Sequence, residues 1–113
     1  MSNYIEVNDY EGNRVCCTRN QWFSHIVPGH RIMDGNKQIV EETIKTPDIV
    51  YTSSTSPIRK VFFKESTEAT YSSDLKTKVI VEYDAAGSGE VVTAFPAKLE
   101  KGGIGDVIYT KQI

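Results

Sequence analysis

Two imidazoles stand close together in this chain, His25 and His30, within TRNQWFSHIVPGH at positions 18–30, and the sequence holds no others. Imidazole is the side chain best suited to passing protons near neutral pH, so the pair is a candidate for one acid and one base. Other reactive groups point to less. Cys16 and Cys17 are adjacent, and neighbours on a strand face opposite ways, so no bridge between them is expected. Without His or Cys partners at ligand spacing they make no zinc site; one buried thiol and one near the surface is the expectation. The acidic residues show no metal spacing, and Glu41 and Glu42 read as a solvated helix face. KGGIG at 101–105 lacks the strand-to-helix setting of a phosphate-binding loop. Neither a metal nor a cofactor is expected.

The elements around the histidines follow from local pattern. NYIEVND and RVCCT flank the turn-like YEGN and predict a hairpin over residues 3–18. Thr18 with Gln21 fits a capping box. At 100° per residue Trp22, Phe23, Ile26 and Val27 share one arc, which predicts a helix with His25 at the edge of its buried stripe. Pro28 and Gly29 then end it and leave His30 in a loop. GNKQIVEETIKTP at 35–47 predicts a second helix, capped by Asn36, with Ile39, Val40, Thr43 and Ile44 on one face. Beyond Pro47 the period changes to two. Strands are predicted at 48–53, 59–65, 77–84 and 90–96, with AAGSG as a hairpin loop, 66–75 and 101–106 as surface loops, and VIYT as a short closing strand. Alternation puts Arg59, Val61 and Phe63 on one side of their strand, and Val91, Thr93 and Phe95 on one side of theirs.

The expected fold is therefore α+β: two N-terminal helices packed on a curved antiparallel sheet of four to five strands. The hairpin at 1–18 reads as an extension of a domain running from 19 to 113. The net charge of −2 argues against a protein that grips nucleic acid by bulk electrostatics alone. No apolar run approaches the roughly 20 residues of a membrane helix, so no membrane is expected. The N-terminus lacks a secretory pattern, which suggests action in the cytoplasm or delivery by a larger protein.

Five stretches together carry a family resemblance: Trp22-x-x-His25-Ile26-x-x-x-His30, Glu42-Thr43-Ile44-x-x-Pro47-Asp48-x-Val50-Tyr51, VFFK at 61–64, VIVEY at 79–83 and VVTAFP at 91–96. They resemble the phage- and prophage-type nuclease-like domains grouped with barnase, EndoU, the colicin nucleases and RelE in one ribonuclease superfamily. The resemblance spans most of the chain beyond the first 17 residues. It implies two helices before a curved antiparallel sheet, and metal-independent RNA cleavage, usually by a bacterial or phage toxin. Relatives often carry His-Pro where this chain has His30-Arg31.

Such cleavage makes the ribose 2′-OH attack its own phosphodiester. One group takes the 2′ proton, another protonates the leaving 5′ oxygen, and donors steady the phosphate charge. His25 and His30 fit the proton transfers, with Thr93 donating a hydrogen bond to a phosphoryl oxygen. Arg59, Lys60, Lys64 and Lys98 are candidates for holding phosphate. Tyr109, or Tyr51, Tyr71 or Tyr83, would stack on a base. The substrate-binding set is Arg59, Lys60, Lys98 and Tyr109; the partners are RNA and a cognate immunity or antitoxin protein. Two alternatives remain open: a catalytically inactive relative that binds RNA or protein, and an immunity-type interaction protein whose acidic surface meets a basic toxin.

Overall fold

One five-residue turn is written twice, as Asp9-Tyr-Glu-Gly-Asn13 and Asp84-Ala-Ala-Gly-Ser88. In the computed structural model, which describes residues 3–65, 71, 74–98 and 102–111, both make the same bonds. The Asp9 carboxylate accepts from the Glu11 and Asn13 N–H groups, and Asp84 accepts from Ala86 and Ser88. Backbone bonds from Asp9 to Asn13 and from Asp84 to Ser88 close each loop. Gly12 and Gly87 adopt φ of +88° and +90°, where a side chain would be strained. The first turn joins β1 (Asn3–Asn8) to β2 (Arg14–Thr18), the second β5 (Lys76–Tyr83) to β6 (Gly89–Ala97). Tyr83 links them by donating its hydroxyl proton to Asp9 at 2.6 Å.

Between β2 and β3 (Ile49–Ser53) the chain is helical: α1 (Arg19–Gln21), a π-helical turn (Trp22–Ile26), α2 (Val27–Gly29), a 3₁₀ turn (Arg31–Met33) and α3 (Lys37–Lys45). β4 (Arg59–Glu65) and β7 (Ile104–Thr110) complete one seven-stranded sheet in the order β1-β2-β6-β5-β4-β3-β7. Every pairing is antiparallel except β2 with β6, which run parallel over two residue pairs, Val15–Gly89 and Cys16–Glu90. One face of the sheet, the inner face, carries Phe62, Val79, Val81, Val91 and Ala94, buried with Trp22, Ile26, Met33, Val40 and Ile44 from the helical segments. Tyr10, at the hairpin tip, lies 4.5 Å from Tyr109 on the far edge strand. A flat sheet would hold its outer strands about 29 Å apart, six spacings of about 4.8 Å, so this one curls strongly around its core. Among the described residues no helix is long and apolar enough to cross a membrane.

This corrects the expected fold. Two helices do not lead onto an antiparallel sheet of four to five strands; a mixed sheet of seven begins with the hairpin itself. The hairpin is part of the core, because Ile5, Val15 and Cys17 are buried in it, and β2 pairs with β6. Local pattern reveals a hairpin but not its distant neighbour, which lies some seventy residues on. The stretch read as the loop 101–106 contains the start of β7 at Ile104. Register shifts along β3–β7, together with its glycines, hide the period of two. Most of the other predicted loop, 66–75, lies outside the described residues.

Asp48 fastens the start of β3. Its carboxylate accepts from the Glu65 N–H at 2.8 Å and pairs with the Lys111 ammonium at 2.9 Å. Burial alone would raise its pKa, but the Glu65 and Lys111 contacts, with Lys64 beyond, outweigh it and hold the carboxyl below its ordinary value. A carboxylate depressed on folding adds stability that is complete above its unfolded value and is lost as pH falls through the folded one. Asp48→Asn is therefore expected to destabilise the protein near neutral pH, with the difference from wild type narrowing as pH drops below about 4. Urea midpoints across a pH series measure this. A difference of the same size at both ends contradicts it.

Candidate functional site

Parallel pairing with β2 occupies only the first two residues of β6. Beyond Glu90 that edge of β6 needs another partner, and the helical run supplies it. Thr18 accepts a bond from the Gln21 N–H at 3.0 Å and so caps the run as its sequence suggests. The Gln21 side chain does not complete a capping box. It reaches across to donate to the Val92 carbonyl at 2.6 Å. Trp22 and Ile26 are buried beneath the same edge. The Val27 N–H bonds to the Trp22 carbonyl, one residue further back than in an α-helix. This wider turn carries the chain through Pro28, so the helix runs on to Gly29 instead of stopping at the proline. His25 follows Gln21 by four residues, a spacing that sets it on the same flank of the helical run. It is exposed.

A β-bulge sits opposite this contact. Val81 pairs with Val91 and Ile80 with Thr93, so Val92 is the extra residue on β6. The alternation of β6 is thereby broken. Val91 and Ala94 both face the core, while Thr93 and Phe95 face outward beside Ile80 and Lys78. Simple alternation put Val91 and Thr93 on one side; the bulge separates them. Thr93 is half-buried. His30 closes this region from the helix end, its ring stacked on Phe95 with centroids 4.6 Å apart.

The basic residues divide. Arg59 lies on the outer face with Thr93, and its Nε donates to Glu82 at 2.9 Å. Lys60, the next residue, turns to the inner face, where it pairs with Glu11 at 2.9 Å and sits 4.8 Å from the Tyr83 ring centre. Tyr109 packs against Tyr10 on that side as well. Lys98 is exposed just after β6. Lys64 donates to the Thr46 carbonyl at 2.6 Å near the start of β3. Tyr51 packs edge-on against Phe63. Thus Thr93, His30 and Arg59 share the outer face with the His25 flank beside it, while Lys60 and Tyr109 belong elsewhere.

No family model, curated protein or solved structure matches the chain. The chemistry must be read from these side chains alone.

Several of them escaped the sequence pattern. Lys78 is only 5% exposed on the outer face, its ammonium over the rings of Phe63 and Phe95 and bonded to the Gly102 carbonyl at 3.1 Å. Burial lowers its pKa. Its place in the apolar-looking TKVIV run conceals it as one more strand-edge lysine. Cys16, Glu90, Glu82 and Arg59 form a single row across β2, β6, β5 and β4. Burial, and then the Glu90 charge, raise the Cys16 thiol, while burial pushes Cys17 on the inner side up to about 12. Only the strand order brings this row together. The Thr18–Gln21 helix start and the place of His25 at the stripe's edge were legible, but not the docking of Gln21 on β6.

The Gln21 contact is the local hinge of this arrangement. Gln21→Ala leaves the Val92 carbonyl without its donor and is expected to cost about 1 kcal/mol of stability. Urea unfolding measures it, and an unchanged midpoint would show that the helix is held to β6 by other means.

Proposed function

We propose that the chain is a metal-independent endoribonuclease, acting as a bacterial or phage toxin, with its active site on the outer sheet face around Thr93. The observation that carries the reading is the β6 bulge. It turns the Thr93 hydroxyl away from the core onto the face that holds Arg59 and the ring of His30, next to the helix flank bearing His25. The resemblance in Trp22–His30 and in VVTAFP supports the same residues. The fold lends no analogy, so the argument rests on the site.

In this reading the 2′ oxygen attacks phosphorus and the P–O5′ bond breaks. One imidazole accepts the 2′ proton and the other delivers a proton to the leaving O5′, which yields a 2′,3′-cyclic phosphate and a 5′-hydroxyl. Thr93 donates to a nonbridging oxygen. Arg59, oriented through Nε by Glu82, offers its outer N–H groups to the phosphate. Lys98 lies at the end of the same strand and contributes charge near the RNA. Lys60 and Tyr109 have no part in it. The site of action is the cytoplasm of the producing or a target cell, with an immunity or antitoxin protein as partner.

A second reading, a relative that binds RNA or protein without cutting, draws on one observation: Arg59 and Lys60 are each already engaged by a glutamate. Incubating pure protein with RNA in excess chelator separates the two. Cleavage to cyclic-phosphate ends is expected. His25→Ala and His30→Ala should each lower kcat by about 10²–10⁴, and Thr93→Ala by about 10²–10³. His25 is exposed, so its variant should keep the fold. Absence of cleavage, or a fully active His25→Ala, overturns the proposal.

A further inference from the structure

The sheet has two outermost strands, β1 and β7. On β1 the exposed residues are polar, Glu6 and Asn8. β7 is different. β3 covers one side of it, and among the described residues no strand covers the other. Five of its seven residues are exposed, namely Gly105, Asp106, Val107, Ile108 and Thr110. Val107 is 51% exposed and Ile108 44%, and no other two large exposed apolar side chains among the described residues are adjacent. Ile108 is the extra residue of a bulge, because Val50 pairs with Tyr109 and Tyr51 with Val107. Bulges can guard an edge by twisting it away, but this one leaves an apolar side chain in water. The strand also lacks the lysine or proline that commonly keeps an edge from pairing. Such an edge is open to one more strand.

The charges at its ends say which strand that is. Asp106-Val-Ile-Tyr-Thr-Lys111 has an acid at one end, a base at the other and no charge between. Two copies of this segment laid antiparallel bring each Asp106 opposite the other's Lys111, so one register forms both ion pairs. Parallel pairing in register would set like charges together, which destabilises a sheet. The Asp106 carboxylate has no partner among the described residues. Lys111 is exposed and gives one N–H to Asp48, which leaves its ammonium two further donors. The same register sets Val107 opposite Thr110. Val107 stands beside Tyr51 and Thr110 beside Ile49, and Tyr51 and Ile49 share one side of β3. Residues brought opposite one another therefore lie on the same face, as sheet pairing requires. We propose that the chain forms a two-fold dimer through β7, antiparallel to β7 of a second copy, with Asp106 opposite Lys111. Ile108 meets Tyr109 of the second copy at the axis, and the sheet continues across the seam. A contact between identical patches closes on itself and yields a dimer, not a filament. The proposal does not rest on the ribonuclease reading.

Sedimentation equilibrium of the full chain over a concentration series tests it. Wild type is expected to pass from monomer to dimer as the concentration rises. Asp106→Lys sets two like-charge pairs at the seam and should raise the dimer Kd about 10-fold or more. Lys111→Glu does the same with the opposite sign. Mixed together, the two variants regain both ion pairs only in the heterodimer, so the mixture should dimerise at concentrations where neither variant does alone. Lys111→Glu also loses its pair with Asp48, so its amide spectrum is first compared with that of wild type. If it does not fold, Val107→Lys, on exposed surface, takes its place and should weaken the dimer by itself. A wild type that stays monomeric at every concentration overturns the proposal. So does a dimer that Asp106→Lys or Val107→Lys leaves unchanged. Folded charge variants that each lose the dimer and fail to regain it together overturn the pairing of Asp106 with Lys111.

Discussion

Near the start of β6 the strand exchanges one neighbour for another, and the outer-face site depends on how that exchange is made. Its first residues bond to β2, running parallel. After two pairs the contact with β2 stops, and beyond Thr18 the chain leaves the sheet as helix. Backbone groups on the abandoned edge still need partners, since an unpaired buried carbonyl costs about 1–3 kcal/mol. Gln21 answers that need at Val92, and the extra residue of the bulge falls at the same point. The two features coincide at Val92. Their joint result is that Thr93 faces outward while Val91 and Ala94 remain in the core.

Charge is arranged around this bend in opposing ways. The chain is slightly acidic overall, and two of its prominent cations are tied to glutamates on opposite faces. A broad basic surface for RNA is therefore not how the outer face would work. Recognition would come from a few oriented groups, with Arg59 set by Glu82 and the rings of His30 and Phe95 stacked beside them. Fixed side chains of that kind discriminate between ligands better than they attract them. The inner face differs in kind. There the buried Asp9 and the half-buried Tyr10, Tyr83 and Lys60 form a polar end to the core, and burial together with the Asp9 bond raises the Tyr83 hydroxyl far above its usual value, as befits a structural group.

How much of this was written locally follows from the range of each interaction. Strand positions from Ile49 to Ala97 are legible because β-branched and aromatic residues alternate between turn residues. The Asp-x-x-Gly turns are legible for the same local reason. The Thr18 cap and the Trp22–Ile26 stripe announce the helix. Three things were not legible. The parallel joining of Cys16 to Glu90 spans most of the chain, the bulge at Val92 leaves no break in the run VVTAF, and the π-turn needs the packed Trp22 to reveal it. Because the bulge changes which residues share a side, Thr93 keeps Phe95 as its expected neighbour but parts from Val91, with which alternation had grouped it. The acidic row at Glu82 and Glu90 was missed altogether, since each glutamate looks like ordinary surface until the strands are placed side by side.

The central claim is that RNA lies on the outer face across the bulge of β6. Titrating isotope-labelled protein with a short 2′-O-methyl RNA, which cannot be cleaved through its 2′ oxygen, and following amide and imidazole signals tests it most directly. The account predicts that the largest changes fall on Val92 to Phe95, Arg59, and the rings of His25 and His30. Changes centred on Tyr10, Lys60 and Tyr109, or no saturable change at all, would contradict it.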